Sequence, residues 1–200
     1  MTRPIPELPA AIPRRGSTLW RWIGRTLMRL AGWGFDGNFP DREKLVIAVA
    51  PHTSNWDFVH GAAAMFALDL KVSFIGKHTL FVWPFSLFLR WMGGIPVDRS
   101  AAHGIVGEAV ESFRGERSRL LAIAPEGTRR KVERFKTGFL HIARGAGVPV
   151  VLVGLDYSTR TVRIGPVFEV GEDIEAERIK VERHFAAIPG RHPHLGPRAA

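Results

Sequence analysis

Pro51-His52-Thr53-Ser54-Asn55-Trp56-Asp57 follows an apolar run, Leu45 to Ala50, and precedes a helix-like stretch, Phe58 to Leu68. The first run has the length and composition of a buried strand. His52 is therefore expected at a strand's C-terminal end, beside a helix start, where open α/β sheets build their sites. A neutral imidazole can take a proton from an alcohol near neutral pH. A carboxylate that orients the ring and stabilises its cation completes such a base. Asp57 can be that carboxylate if the chain turns between the two, because on a straight helix five residues would set them about 140° apart. The plainer reading of the same stretch makes Asp57 a helix cap and His52 a packed loop residue.

A second stretch, Ala124-Pro125-Glu126-Gly127-Thr128-Arg129, also follows a strand-like run, Leu120 to Ala124. It puts a carboxylate, a glycine, a hydroxyl and a guanidinium on one loop, an inventory suited to a polar or phosphorylated ligand. A third loop, Gly94-Ile95-Pro96-Val97-Asp98-Arg99, ends in another arginine.

Taken in order, these blocks resemble the lysophospholipid (glycerolipid) acyltransferases of the bacterial 1-acylglycerol-3-phosphate acyltransferase type. That family's His-x4-Asp block is matched by His52 and Asp57, and its Gly-Ile/Phe-x-x-x-Arg-like loop by Gly94 to Arg99. Its Pro-Glu-Gly-Thr-Arg block is matched in full by Pro125 to Arg129, and its Val-Pro-Val/Ile-like strand start by Val148 to Val150. The resemblance implies that His52 and Asp57 are catalytic. It also implies that Arg99, Glu126, Gly127, Thr128 and Arg129 hold the acyl acceptor, most simply 1-acylglycerol-3-phosphate. The guanidinium forks of Arg99 and Arg129 suit a phosphate physically. Glu126 does not; it accepts from an acceptor hydroxyl, orients an arginine, or makes an internal salt bridge. The departure is at the N-terminus, where no long membrane-spanning segment is found.

Composition fits one ordinary domain, 46% hydrophobic and 24% charged over 200 residues. With 28 Lys and Arg against 19 Asp and Glu, the net charge of +9 favours a polyanionic partner, unless it serves solubility alone. Six Trp and 13 Phe point to an anionic lipid surface rather than nucleic acid. The absence of cysteine excludes thiol nucleophiles, disulfides and cysteine-ligated metals, and fits a cytoplasmic location; with the lipid-directed charge and aromatics, the expected place is peripheral, on the inner face of the cell membrane. No secretory signal is evident, and no stretch approaches the roughly 20 apolar residues of a spanning helix.

Residues 1–16 carry four prolines before Arg14 and read as a flexible basic arm. Ser17 or Thr18 can cap a helix to about Ala31. Leu19, Ile23, Leu27 and Leu30 share one face of it, Trp20, Trp22 and Trp33 lie near the edges, and Arg21, Arg25 and Arg29 lie opposite. Such a helix, with its flanks residues 17–33, lies in a bilayer interface or packs on the protein's own core. Leu80 to Met92 is the most apolar segment, broken by Pro84. It is a core helix, or a wall for an acyl chain or a membrane. Thr161 to Ile164 and Val167 to Val170 read as two strands separated by Gly165-Pro166, followed by a polar helix from about Ile174 to Ala187. Residues 34–188 form the expected acyltransferase domain, and 189–200 a loose tail. The alternation predicts a single α/β domain, a central mixed β-sheet flanked by helices, with an N-terminal amphipathic helix.

The implied reaction moves an acyl group from a thioester, on coenzyme A or acyl carrier protein, to a hydroxyl. His52 removes the hydroxyl proton and Asp57 steadies the imidazolium. The activated thioester makes a covalent acyl-enzyme unnecessary, and no Gly-x-Ser-x-Gly elbow is present. No cofactor is required. The basic residues between 129 and 136 can meet either carrier's phosphates. A different hydroxyl acceptor (another lysolipid, an aminolipid or a sugar) would use the same base. Two readings compete. One makes His52, Asp57 and His60 metal ligands of a hydrolase. The other makes the chain a basic membrane or nucleic-acid binding module, in which His52 is dispensable.

Overall fold

The computed structural model describes residues 4–97 and 102–195, with the backbone alone at 102 and 103. The chain forms one α/β domain. Its elements are α1 (Thr18–Leu30), β1 (Gly34–Asp36), β2 (Lys44–Ala50), α2 (Asn55–Ala67), β3 (Val72–Lys77) and α3 (Phe85–Met92). They continue with β4 (Gly94–Val97), α4 (Ala102–Gly115), β5 (Arg119–Ile123), α5 (Gly138–Ala146), β6 (Val150–Asp156), β7 (Thr161–Phe168) and α6 (Ile174–Ala186).

The seven strands form one mixed sheet in the order β1-β7-β6-β2-β5-β3-β4. Neighbours run parallel except β6 and β7, which are antiparallel. The side-chain period of two divides the core. Leu45 and Ile47 of β2 face one layer with Met28 of α1, Ala63 to Ala67 of α2 and Met92 of α3. Val46 and Ala48 face the other, with Phe113 of α4, Phe139 of α5 and Phe185 of α6. Because β2 is covered on both faces, it reads as a continuous apolar run rather than an alternating one.

The expected pair of strands at Thr161–Ile164 and Val167–Val170 is a single strand, β7. Its register against β6 shifts between Val151 and Val153, opposite the Gly165-Pro166 step. On its other edge β7 meets β1 only through Thr161 to Arg163. Pro166 thus sits at an irregularity beyond β1's end, where its missing N–H costs no ladder bond.

The expected arm also packs. Ile12 is buried. Lys71 N–H donates to the Pro13 carbonyl (3.0 Å), and Arg15 N–H donates to the Asp69 carbonyl (2.9 Å). The Arg15 guanidinium stacks 4.8 Å from the Trp91 ring and donates to the Trp91 carbonyl. Proline content cannot reveal such anchoring, because the partners come from the segment after α2 and from α3.

Helix α1 is capped by Ser17, whose side chain accepts from Trp20 N–H. It docks on α2 through Gly24. A Cβ there would stand 2.4 Å from the Ala67 nitrogen, so only glycine permits this approach. The docking face carries Gly24 and Met28, not the leucine face. Leu19, Trp22, Leu27 and Leu30 stay exposed, Leu30 at 80%. On α3 and the turn before it, only Met92 is buried, while Val82, Trp83 (82% exposed), Phe85, Leu87 and Phe88 face outward. Trp33, read as part of the amphipathic helix, lies after it and is buried.

Candidate active site

Strands β2, β5 and β6 are adjacent and parallel, so their C-terminal ends lie side by side. His52 follows β2, Glu126 follows β5 and Tyr157 follows β6. The topology alone therefore collects these three side chains at the centre of one sheet edge.

Helix α2 begins at once after His52. Ser54 is its N-cap and Asp57 its third residue, and the two form a reciprocal capping box. Asp57 Oδ2 accepts from the backbone N–H of Thr53 (2.6 Å) and Ser54 (2.7 Å). The same oxygen lies 3.4 Å from His52 Nδ1. Both readings of Asp57 thus hold at once: the cap supplies the turn that brings the carboxylate back under the imidazole. The Asp57 side chain is 1% exposed and that of His52 29%. Burial alone would raise the Asp57 pKa. Its bonds to His52, Tyr157 and Ser54 outweigh that and hold it below the usual carboxylate value. Asp57 is therefore an anion at neutral pH, and His52 Nε2 is left for a substrate.

Glu126, 2% exposed, joins the two main sequence blocks. His52 N–H donates to both of its oxygens, at 2.8 and 3.0 Å. This bond is none of the three contacts considered for Glu126 from sequence, a ligand hydroxyl, an oriented arginine or a salt bridge. The carboxylate instead fastens the loop after β5 to the loop after β2. Burial raises its pKa to about 7, with the nearby Asp57 charge adding to the rise and the His52 N–H opposing it.

Gly127 turns the loop with φ +63°, and its N–H donates to the Ala124 carbonyl (3.0 Å). Thr128 Oγ1 accepts from Arg130 N–H (3.3 Å). Arg129 is exposed, as are Arg130, Lys131, Arg134 and Lys136. Arg99, expected with this group, lies outside the described residues.

Two features escaped the sequence. Tyr157, the chain's one tyrosine, donates its hydroxyl to Asp57 Oδ1 at 2.6 Å. No local motif marks it, because it lies 100 residues away and meets Asp57 only through strand order. Of the expected loose tail, 189–200, residues 196–200 lie outside the described residues, and the part around Gly190 to His192 crosses the His52 loop. Gly190 packs on Pro51 and Thr53, and His192 N–H donates to Thr53 Oγ1 (3.2 Å). Arg191 lies 5.3 Å over the Trp56 ring at the mouth of the site.

Beneath His52 and Asp57 an apolar cavity of about 210 Å³ runs between α2 and the sheet. Phe58, Gly61, Ala62, Met65, Phe74 and Ile75 line it. His60 turns away from His52, stacking on Trp33 at 4.5 Å with Nδ1 3.2 Å from the Tyr157 hydroxyl. Among the described residues no group of three His, Asp or Glu side chains is arranged to hold a metal ion.

A family model described as Acyltransferase matches residues 35–156. The 1-acyl-sn-glycerol-3-phosphate acyltransferase of Escherichia coli K12 is 33% identical over 125 residues, 59% of this chain and 49% of that protein. The protein of that name from Haemophilus influenzae is 32% identical over 143 residues, 66% of this chain and 58% of its own length. This chain spans about half the length of the curated relatives it matches. The crystal structure of the 1-acyl-sn-glycerophosphate (LPA) acyltransferase PlsC from Thermotoga maritima superposes with a TM-score of 0.61 at 22% identity. The match covers 82% of this chain and 74% of that one, and is a likeness of fold.

Proposed function

From a chain that belongs to the acyltransferase family, we propose transfer of a fatty acyl group from a thioester to the free hydroxyl of a lysophospholipid, 1-acylglycerol-3-phosphate first among them. The observation that carries this reading is the His52–Asp57 pair standing over an apolar cavity. A base beside a chain-shaped apolar space suits a reaction that joins an alcohol to a fatty acyl carbonyl.

The acceptor hydroxyl hydrogen-bonds to His52 Nε2. Its oxygen attacks the thioester carbonyl while the proton passes to the imidazole. Asp57, fixed by two backbone N–H groups and Tyr157, stabilises the imidazolium across 3.4 Å. The tetrahedral intermediate collapses, the C–S bond breaks, and the leaving thiolate takes the proton back from His52. The step consumes no cofactor. Arg129, exposed on the loop that Glu126 ties to His52, takes the acceptor phosphate. Arg99 is proposed to share it, with Gly127 and Thr128 shaping the loop. The basic residues from Arg129 to Lys136 meet the phosphates of the coenzyme A or carrier-protein thioester.

The exposed leucine and tryptophan face of α1 and the outward face of α3 suit a lipid surface, and their basic surroundings an anionic one. Among the described residues no helix is long and apolar enough to cross a membrane. On those exposed faces the reading seats the domain peripherally, at the cytoplasmic face of the cell membrane, with residues 17–33 as the interfacial element and 34–188 as the catalytic unit.

The test is acyl transfer by the purified chain on vesicles containing anionic lipid, with acyl-coenzyme A and acyl carrier protein as donors. Formation of diacylated product from 1-acylglycerol-3-phosphate is expected; no transfer to any lysophospholipid would overturn the reading. The same assay probes the cavity. A Cβ at Gly61 would meet no atom within 4 Å, and Gly61 lines that space. Gly61→Leu is therefore expected to shift the kcat/KM preference toward shorter acyl thioesters, by about tenfold for a long-chain donor. An unchanged chain-length series would place the acyl group elsewhere.

A further inference from the structure

The geometry points to Tyr157 as a positioning residue of the His52–Asp57 pair, acting through a hydrogen-bond chain in which His60 donates to the tyrosine hydroxyl, that hydroxyl donates to Asp57 Oδ1, and Asp57 Oδ2 faces His52 Nδ1. The inference rests on the acyl-transfer reading for its catalytic meaning, but the chain of bonds can be tested without turnover.

The direction of the chain follows from proton inventory. Asp57 lacks a proton of its own, so at 2.6 Å the Tyr157 hydroxyl is the donor to Oδ1. A phenol has one proton. His60 Nδ1, 3.2 Å from the same oxygen, therefore donates to it. Burial is the largest influence on His60 and holds it below the usual imidazole range, with Arg191 adding to the effect and the Trp56 carbonyl and Asp57 opposing it. Burial and the Asp57 carboxylate push the Tyr157 hydroxyl far up, so it keeps its proton at neutral pH.

The ring that carries this hydroxyl is held independently of it. Trp33 meets the Tyr157 ring edge-on at 4.9 Å, and His60 meets it at 5.6 Å. Trp33 also stacks on His60, so one buried indole locks two links of the chain. The titratable and charged groups around Asp57 come from four segments. They are His52 on the loop after β2, His60 on α2, Glu126 on the loop after β5, and Arg191 on the segment after α6.

Two oxygens of Asp57 thus have separate duties. Oδ2 is saturated by Thr53, Ser54 and His52. Oδ1 is left to Tyr157, which sets the rotation of the carboxylate and disperses part of its charge. Without the hydroxyl the full anionic charge bears on His52 and holds its proton more tightly. The base then frees itself only at higher pH.

Tyr157→Phe removes the hydroxyl and keeps the ring with both stacking partners. The decisive measurement is the imidazole NMR titration of His52, its signals assigned by their loss in His52→Ala. In Tyr157→Phe the midpoint is expected to move to higher pH by about half a unit or more, as loss of a bond to a charged group implies. In the acyl-transfer assay the rising limb of kcat against pH is expected to move the same way, with the plateau about three- to tenfold lower. A His52 titration identical in the two proteins would overturn the inference, whatever happens to stability, because a purely structural tyrosine would alter only the melting temperature. Failure of the wild type to transfer an acyl group would instead strike the proposed function and leave the NMR result to judge the chain of bonds.

Discussion

His52→Ala is expected to lower kcat by about 10²–10⁴-fold, the range a positioned general base contributes, while leaving the fold in place. The argument for an intact fold is local. What anchors this residue is its backbone N–H, bound to both oxygens of Glu126, and alanine keeps that group. Asp57 retains the N–H donors of Thr53 and Ser54 and the hydroxyl of Tyr157. The imidazole itself is partly exposed, so its removal opens no sealed cavity. Asp57 is a poorer probe, because its removal also strips the capping box of α2, worth about 1 kcal/mol. The check is paired: steady-state kinetics beside thermal unfolding of wild type and variant. A variant that melts normally and still turns over within a few-fold of wild type would remove His52 as the base. It would also revive the view of the chain as a binding module.

Glu126→Gln is expected to stabilise the protein at pH 8 by about 2–3 kcal/mol and to change stability little near pH 4. In the folded chain burial holds the Glu126 proton up to about pH 7; its ordinary value is 4.5. The sign follows from linkage. Below about 4.5 the side chain is protonated in both states, and its contribution to stability is fully present. As pH rises toward 7 the unfolded chain releases the proton while the folded chain keeps it, and stability falls. Above 7 the loss is complete, and the gap between 4.5 and about 7 corresponds to about 3 kcal/mol. Glutamine keeps an oxygen for His52 N–H and carries no charge, so it removes this loss. Urea unfolding of both proteins at pH 4 and pH 8 measures it. An equal difference at the two pH values would show that the ionised carboxylate is not the source. The native glutamate is thus a destabilising charge held against the backbone of the proposed base.

Much of the site was legible because its chemistry is local. His52 and Asp57 share one loop and one helix start, and the Ser54–Asp57 capping box that joins them is written in four consecutive residues. The loop Pro125 to Arg129 was legible for the same reason. The apolar runs at Leu45 to Ala50 and Val148 to Leu155 marked the central strands, since a parallel strand covered on both faces has no polar side to hide the signal. The exposure of the α1 leucine face followed from its amphipathic pattern only as one of two outcomes. Gly24 against the Ala67 backbone decided which face docks.

What the sequence by itself determined is therefore the α/β class, the two polar loops and the pairing of His52 with Asp57. Each depends on contacts between near neighbours or on a repeat along the chain. What only the tertiary structure decided is how distant segments share one edge. Strand order set Tyr157 against Asp57 across 100 residues and Glu126 against the His52 backbone across 74. Contacts with the segment after α2, with α3 and with the His52 loop also packed residues 4–16 and 189–195, the described parts of the two ends expected to be loose. Such contacts leave no periodic mark on the sequence. They arise because adjacent parallel strands end at the same level, whatever their separation along the chain.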